Sequence, residues 1–244
     1  MAARLHVDAP LREGDVLALP SGAARHVQVL RLQPGAALVL FDGRGGEWAA
    51  EVLRMGRSDV QVRIGTHAAV DRELPVAVTL ALGMPANDRM DALVEKACEL
   101  GVAAIQPLIC ERSVLRLAGE RADKKVAHWQ AVAVAACEQC GRSVLPRIEP
   151  VRAVTDWLAA LPSRGAERRL LLSLRDAQPL LLAAAPAAAL IALSGPEGGL
   201  ADAEESAART RGFVPVSLGP RVLRADTAPL ALLAHLALAA EGSR

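Results

Sequence analysis

Two apolar segments near the end of the sequence each lead directly into a glycine turn. Residues 190–193 precede Gly195-Pro196-Glu197-Gly198-Gly199, and residues 214–218 precede Gly219. Glycine lacks a Cβ, so its backbone adopts positive φ angles and can approach a flat ligand closely. In an open α/β sheet, ligands bind at the carboxyl ends of adjacent strands, where such turns lie. This part of the chain is therefore expected to form a small-molecule pocket.

From residue 76 onward, apolar strand patterns alternate with helical patterns. Continuous apolar strands are typical of a parallel sheet that is covered on both faces. The alternation of strands and helices therefore predicts a doubly wound α/β domain. The strands are predicted at residues 76–82, 103–109, 170–174, 190–193 and 214–218, and the helices at 88–100, 123–139, 202–211 and 226–240.

The first part of the chain has a different pattern, with short strand segments separated by turn residues. This spacing predicts a small β-barrel. Residues 71–75 form a polar, proline-ended connector, so the predicted domains are residues 1–72 and 73–244. The predicted strands of the barrel are residues 16–19, 37–41, 48–53 and 60–64.

Composition excludes several classes of protein. The 28 basic and 27 acidic residues give a formal net charge of +1, so no overall field attracts a polyanion. The longest apolar run, residues 180–193, is fourteen residues long and contains Pro186, which is too short for a membrane span. The first twelve residues lack the apolar core of a secretory signal, and the four cysteines are expected to be reduced thiols. A cytoplasmic location without membrane association is expected.

Other motifs are less informative by themselves. The glycine turn lacks the Gly-Lys-Ser/Thr ending of a phosphate loop and the spacing of a dinucleotide motif, and alone it could be a structural turn. Cys137 and Cys140 form a lone C-x-x-C without a second pair or a suitably spaced histidine, so no metal site is expected. With two Phe, three Trp and no Tyr, the chain lacks a base-stacking platform. Any RNA recognition would depend on arginines, hydroxyls and shape.

Three ordered groups of motifs carry a family resemblance. On these, the chain resembles the bacterial ribosomal small-subunit RNA uridine-N3 methyltransferases (the RsmE family) of the SPOUT superfamily over nearly its whole length. The motifs are residues 26–32, Gly35 and 41–43; residues 95–102, 106–107, 111–113 and 138–142; and the turn 195–199, residues 217–224 and Thr227-Ala228.

The resemblance implies a PUA-like β-barrel, which binds RNA, followed by a SPOUT α/β methyltransferase domain with a C-terminal trefoil knot. It implies S-adenosylmethionine as cofactor, a homodimer, and methylation of uridine N3 in 16S rRNA, either free or in the small ribosomal subunit. The cofactor-binding residues that it implies are Gly195, Glu197, Gly199, Leu218, Gly219 and Leu223. Candidate RNA-binding arginines are Arg4, Arg25, Arg31, Arg112 and Arg142.

Methylation at N3 needs help from the protein, because a neutral uridine N3–H is a poor nucleophile. A carboxylate can accept its proton, and a guanidinium near O2 or O4 can stabilise the uridinate that forms. Arg224, beside the second cofactor loop, is predicted to have the electrostatic role. The base is Asp226 or Glu138, and the sequence does not decide between them. Asp226 replaces the family's usual glutamate, which shortens the reach of the carboxylate.

Two other classes of function remain open at this stage. One is a SPOUT-type methyltransferase that acts on tRNA or on a ribose 2′-OH. The other is an RNA-binding module without catalysis, although intact cofactor loops argue against it. The N-terminal barrel and residues 26–31 favour methylation of an rRNA base.

Overall fold

The computed structural model describes residues 2–57, 59–163, 165–180 and 188–241. The chain divides into two compact units: the first contains Met1–Glu73 and Val134–Leu145, and the second contains Leu74–Ala133 and Pro146–Arg244. The predicted domain boundary after residue 72 stays a prediction. Residues 181–187 of the long apolar run lie outside the described residues.

The first unit is built on a sheet that, in the described residues, has five strands in the order β1-β3-β4-β5-β2. β1 and β3 are parallel, and the other pairs are antiparallel. Alternate side chains of these strands face one core, where Leu40, Val62 and Ile64 are buried. The elements are β1 Ala3–His6, β2 Val16–Ala18, α1 Ser21–Val29, β3 Ala37–Phe41, β4 Glu47–Met55 and β5 Val60–Ala68.

The prediction of a small β-rich module is confirmed, but the sequence pattern missed two of its elements. β1 is short and alternates apolar with charged residues, so its sequence resembles a loop. Helix α1 is nine residues long and contains Gly22, a poor helix former. Tertiary packing stabilises this helix, because Ala23, Ala24 and Val27 are buried in the core of the unit.

The second unit contains a parallel sheet, with eight strands in the described ranges. Its order is β11-β13-β10-β12-β6-β7-β8, and β9 also pairs with β7. The strands are β6 Ala77–Gly83, β7 Ala104–Ile109, β8 Arg147–Ile148, β9 Arg152–Ala153, β10 Arg168–Leu172, β11 Gln178–Pro179, β12 Ala189–Ser194 and β13 Val214–Ser217. The helices are α2 Asn87–Glu99, α4 Val154–Ala160, α5 Asp202–Thr210 and α6 Thr227–Glu241, together with α3 Gly119–Cys140, whose residues from Val134 onward belong to the first unit.

The predicted parallel α/β architecture is confirmed. The central strands β6, β7 and β12 are apolar and largely buried along their length, as expected for a sheet covered on both faces. Helix α2 buries Met90, Leu93, Val94 and Ala97, and Gly101 with a φ of 90° lies just beyond its end. The sequence pattern missed helix α4 and the two-residue strands β8, β9 and β11 because such short elements show no periodicity.

Strand order determines where the site lies. β10 lies between β12 and β13 in the sheet, and all three strands are parallel. Their carboxyl ends therefore meet at one edge, where the segments that follow Leu172, Ser194 and Ser217 come together. No helix within the described ranges is both long enough and apolar enough to cross a membrane.

Candidate active site

A pocket of about 650 Å³ lies at the carboxyl ends of β10, β12 and β13. Its volume is in the range of small-molecule sites, which is about 300–1,000 Å³. The glycine turn after β12 forms one wall, and the segments after β10 and β13 form the others. The main lining segments are residues 172–175, 194–200, 216–218 and 221–225, with Arg89, Arg112, Glu205 and Ala228.

The glycines of the two turns serve different purposes. A Cβ on Gly195 would lie 2.7 Å from the backbone nitrogen of Leu200, so this position must be glycine for the turn to close. Gly199, whose N–H donates to Pro196 O at 2.8 Å, has a φ of 70°, and Gly219 has a φ of 115°. A Cβ on either of these two residues would meet no other heavy atom within 4 Å. Their backbones therefore border open space that a ligand can fill.

The turn after β12 is also packed tightly against β6. A Cβ on Gly83, the last residue of β6, would lie 2.4 Å from Cδ of Pro196. Glycine at position 83 is therefore required for the strand end to approach the turn this closely. The contact fixes one side of the turn and leaves its other side to the pocket.

Glu197 links the glycine turn to the start of helix α2. Its Oε1 accepts hydrogen bonds from Ala86 N at 3.1 Å and from Arg89 Nη1 at 3.4 Å. A carboxylate at a helix N-terminus also interacts favourably with the helix dipole. The side chain therefore holds the turn in place, and direct binding of the cofactor by Glu197 stays a prediction.

Arg112 supports the same turn from the loop after β7. Its Nη1 donates to Gly198 O at 3.2 Å and to Leu200 O at 3.4 Å. From sequence, this arginine is a candidate for RNA binding. That role stays a prediction. In the structure, the guanidinium of Arg112 binds carbonyl groups of the turn.

The segment after β10 lines the pocket, although no pattern in the sequence predicts this. Ser173 Oγ donates to Glu205 Oε1 at 3.1 Å, and Arg175 forms an ion pair with Asp202 on helix α5. The hydrogen bond from Arg175 holds the pKa of Asp202 below its ordinary value. The segment carries no glycine signal, and only the position of β10 between β12 and β13 places it at the pocket.

Five of the six predicted cofactor residues line the pocket: Gly195, Glu197, Gly199, Leu218 and Leu223. Gly219 follows Leu218 directly. The structure thus brings both glycine turns and the apolar side chains of the second loop to one cavity. Whether each of these residues contacts the cofactor stays a prediction.

The three predicted catalytic residues lie in different surroundings. Arg224 is exposed and lines the pocket, and its side chain makes no hydrogen bond or ion pair to any residue that the structure describes. Asp226 does not line the pocket, and its buried Oδ1 has no hydrogen-bond partner among the described residues. Glu138 belongs to the first unit, where it accepts from His6 N at 2.9 Å and lies 3.5 Å from His26 Nδ1.

Two of the predicted RNA-binding arginines form ion pairs inside the first unit. Arg142, whose side chain is 3% exposed, is paired with Glu73, and Arg4 is paired with Glu47. Burial raises the pKa of Glu47, but hydrogen bonds from Arg4 and Arg72 outweigh it and hold this pKa below its ordinary value. These contacts are structural, whereas Arg25 and Arg31 are exposed. RNA binding by any of the four stays a prediction.

No metal centre is apparent in the part of the chain that the structure describes: no three or more His, Cys, Asp or Glu side chains there are grouped to hold an ion.

Comparison with known proteins identifies the family. Residues 72–237 match the RNA methyltransferase domain family, and residues 19–65 match the RNA methyltransferase PUA domain family. Ribosomal RNA small subunit methyltransferase E of Synechocystis is 34% identical over 86% of this chain and 68% of the relative. The chain belongs to the ribosomal RNA small subunit methyltransferase E family.

Other similar proteins agree in sequence and in structure. The Bacillus subtilis relative is 29% identical over 88% of this chain and 86% of its own length. The crystal structure of the Neisseria gonorrhoeae protein, bound to S-adenosylmethionine, is 37% identical, has a TM-score of 0.91 and covers 97% of each chain. A Legionella pneumophila protein solved with the same cofactor is 33% identical, with a TM-score of 0.91 over 98% of each chain. The predicted PUA-like and α/β methyltransferase architecture is confirmed.

Proposed function

We propose that this protein transfers a methyl group from S-adenosylmethionine to N3 of a uridine in the 16S rRNA of the small ribosomal subunit. The observation that carries the proposal is the pocket at the ends of β10, β12 and β13, whose turns match the family motif. The relatives are named as methyltransferases of small-subunit ribosomal RNA, and two similar structures hold the cofactor. The resemblance of the motifs supports N3 of uridine as the target atom.

The residues of the pocket fit this cofactor. Its volume accommodates a nucleoside with an amino-acid side arm, and the open space beside Gly199 lets the backbone approach a flat adenine. Leu218 and Leu223 provide apolar contacts, and Ser173 and Glu205 provide polar groups. When bound, S-adenosylmethionine supplies an electrophilic methyl group on its sulfonium.

Arg224 is the cation best placed to act on the uridine. Because its guanidinium lines the pocket without a partner among the described residues, it is available to a substrate oxygen. A hydrogen bond to O2 or O4 stabilises the negative charge that develops as N3 loses its proton. The N3–C bond then forms as the C–S bond breaks, and S-adenosylhomocysteine leaves.

We assign the proton acceptor to Asp226. It lies two residues after Arg224, and its buried Oδ1 lacks a hydrogen-bond partner in the described parts of the chain. Asp226 does not line the pocket, so this role requires its carboxylate to turn toward the uridine. Such an oxygen gains a partner when it takes up a proton or accepts one in a hydrogen bond. The carboxylate of Glu138 already accepts a hydrogen bond from the backbone N–H of His6 and lies close to His26. Glu138 is therefore the weaker candidate for the proton acceptor.

A homodimer with a knotted C-terminus, located in the cytoplasm, completes the proposal. The family resemblance implies the knot and the dimer. Helix α6 supports a dimer because it is apolar on nearly all sides while Leu238 is 70% exposed. A second copy would cover this surface in an isologous interface. Light scattering should give twice the 25.5 kDa of one chain, and an active monomer would refute the dimer.

The alternatives are a methyltransferase of tRNA or of a ribose 2′-OH, and an RNA-binding module without catalysis. One experiment separates them: purified protein is incubated with labelled S-adenosylmethionine and unmodified 16S rRNA, small subunits or tRNA, and each labelled nucleotide is mapped. The proposal expects 3-methyluridine in 16S rRNA. Label on tRNA or on a ribose would instead support the alternative methyltransferases. Cofactor binding without any labelled RNA would support an RNA-binding module without catalysis.

A further inference from the structure

The charge of the pocket exceeds what the cofactor requires. Five arginines and two glutamates line it, and they are the charged residues of its lining among the residues that the structure describes. S-adenosylmethionine carries a sulfonium, an ammonium and a carboxylate, so the cofactor itself is net positive. Extra guanidinium groups would repel such a ligand unless an anion binds beside it. RNA supplies anions, because each of its nucleotides carries a phosphate.

Three of these arginines already have partners in the second unit. Arg89 pairs with Glu197, Arg175 pairs with Asp202, and Arg112 donates to two carbonyl groups of the glycine turn. The guanidinium groups of Arg221 and Arg224 make no ion pair or hydrogen bond with any described residue. They are therefore the arginines of the pocket that remain available to a substrate.

An exposed apolar residue stands beside these two arginines. Val222 lines the pocket and is 83% exposed. The segment that carries it is fixed at its start, because Ser217 Oγ accepts from Gly219 N at 3.2 Å and donates to Gly219 O at 2.9 Å. The next residue, Pro220, has a restricted φ. An apolar side chain at the mouth of a charged pocket can pack against a nucleobase, because the faces of a nucleobase are apolar.

We infer that Arg221 and Val222 bind the substrate nucleotide: Arg221 contacts a phosphate next to the target uridine, and Val222 packs against a base. Enzymes that modify bases take the target nucleotide out of the stack, so both its phosphate and its base need contacts outside the helix. Arg224 remains for the uridine oxygens. This inference rests on the proposed function, which it extends from the reaction to the recognition of RNA.

The test compares Arg221→Ala with Arg121→Ala. Arg121 is also exposed and lies in the second unit, but it does not line the pocket. Binding of unmodified 16S rRNA, made by transcription, is measured over a range of KCl concentrations, and binding of S-adenosylmethionine is measured by calorimetry. Arg221→Ala should weaken RNA binding about tenfold and reduce the salt slope by about 0.7, the value for one phosphate contact in single-stranded RNA. Its cofactor affinity should be unchanged.

Two further variants separate charge from packing. Arg221→Lys should restore most of the salt slope, because it keeps the positive charge. Val222→Ser should weaken RNA binding several-fold without changing the slope. If Arg221→Ala binds RNA like Arg121→Ala while the wild-type protein methylates 16S rRNA, the inference is wrong and the proposed function stands. If the wild-type protein binds the cofactor but neither binds nor methylates 16S rRNA, both are refuted.

Discussion

Gly199 and Gly212 provide a matched pair for testing which side of the glycine turn faces the cofactor. Gly199 has a φ of 70° and Gly212 a φ of 80°, and a Cβ on either would meet no other heavy atom within 4 Å. Gly199 lines the pocket, whereas Gly212 lies between α5 and β13 and does not. An alanine at each position therefore imposes similar backbone strain, but only one of the two methyl groups enters the pocket.

The size of both effects follows from this geometry. A residue with a Cβ in the left-handed region costs about 1–2 kcal/mol, which corresponds to a fall in Tm of about 2–8 °C for a chain of this size. Both variants should show this fall. A methyl group that crowds a closely packed ligand costs about 1–3 kcal/mol, so Gly199→Ala should weaken S-adenosylmethionine binding about 5- to 150-fold. Gly212→Ala should bind the cofactor like the wild-type protein.

Thermal unfolding and calorimetry on the two purified variants are sufficient for this test. The expected result is equal stability and unequal affinity. Equal affinity in two equally stable variants would show that the open side of Gly199 does not face the cofactor, and the assignment of the turn would have to be withdrawn.

Three other predictions follow from the charged groups. Arg224→Ala should lower the single-turnover methylation rate by about 10²-fold with little change in cofactor affinity, and full activity would contradict its electrostatic role. Asp226→Asn should lose activity and regain part of it at high pH, where hydroxide removes the N3 proton, whereas Glu138→Gln, as control, should remain active; the opposite pattern would identify Glu138 as the base. Burial raises the pKa of Asp91, but hydrogen bonds from His128 and Trp129 outweigh it and lower this pKa below its ordinary 3.8. The resulting stability is complete above pH 3.8 and is lost as the pH falls through the lower folded value, so Asp91→Asn should flatten the decline of Tm in acid, and an unchanged decline would refute this.

Much of the fold could be predicted because its signals are local. The apolar strands and the glycine turns are visible as patterns, and they correctly predict a parallel sheet with a pocket at its carboxyl edge. The contribution of residues 172–175 could not be predicted, because it depends on β10 lying between β12 and β13, and strand order is not a local property. The ion pair between Arg142 and Glu73 could not be predicted either, because the two residues are distant in sequence.

The same limit applies to the roles of individual side chains. Sequence alone marks Glu197 and Arg112 as candidates for binding, because they are polar residues in or near recognised motifs. The structure adds that Glu197 bonds to the start of α2 and that Arg112 bonds to the carbonyls of the turn. Such assignments depend on which atoms meet in three dimensions.

The hydrogen bond that Glu197 accepts from Ala86 N couples the glycine turn after β12 mechanically to the start of α2. A ligand that stiffens the turn therefore also holds the Glu197 carboxylate against the start of the helix. Local opening of a helix end requires its capping bonds to break, so its frequency falls when those bonds are held in place. Ligand binding in the pocket should therefore slow amide hydrogen exchange at the start of α2.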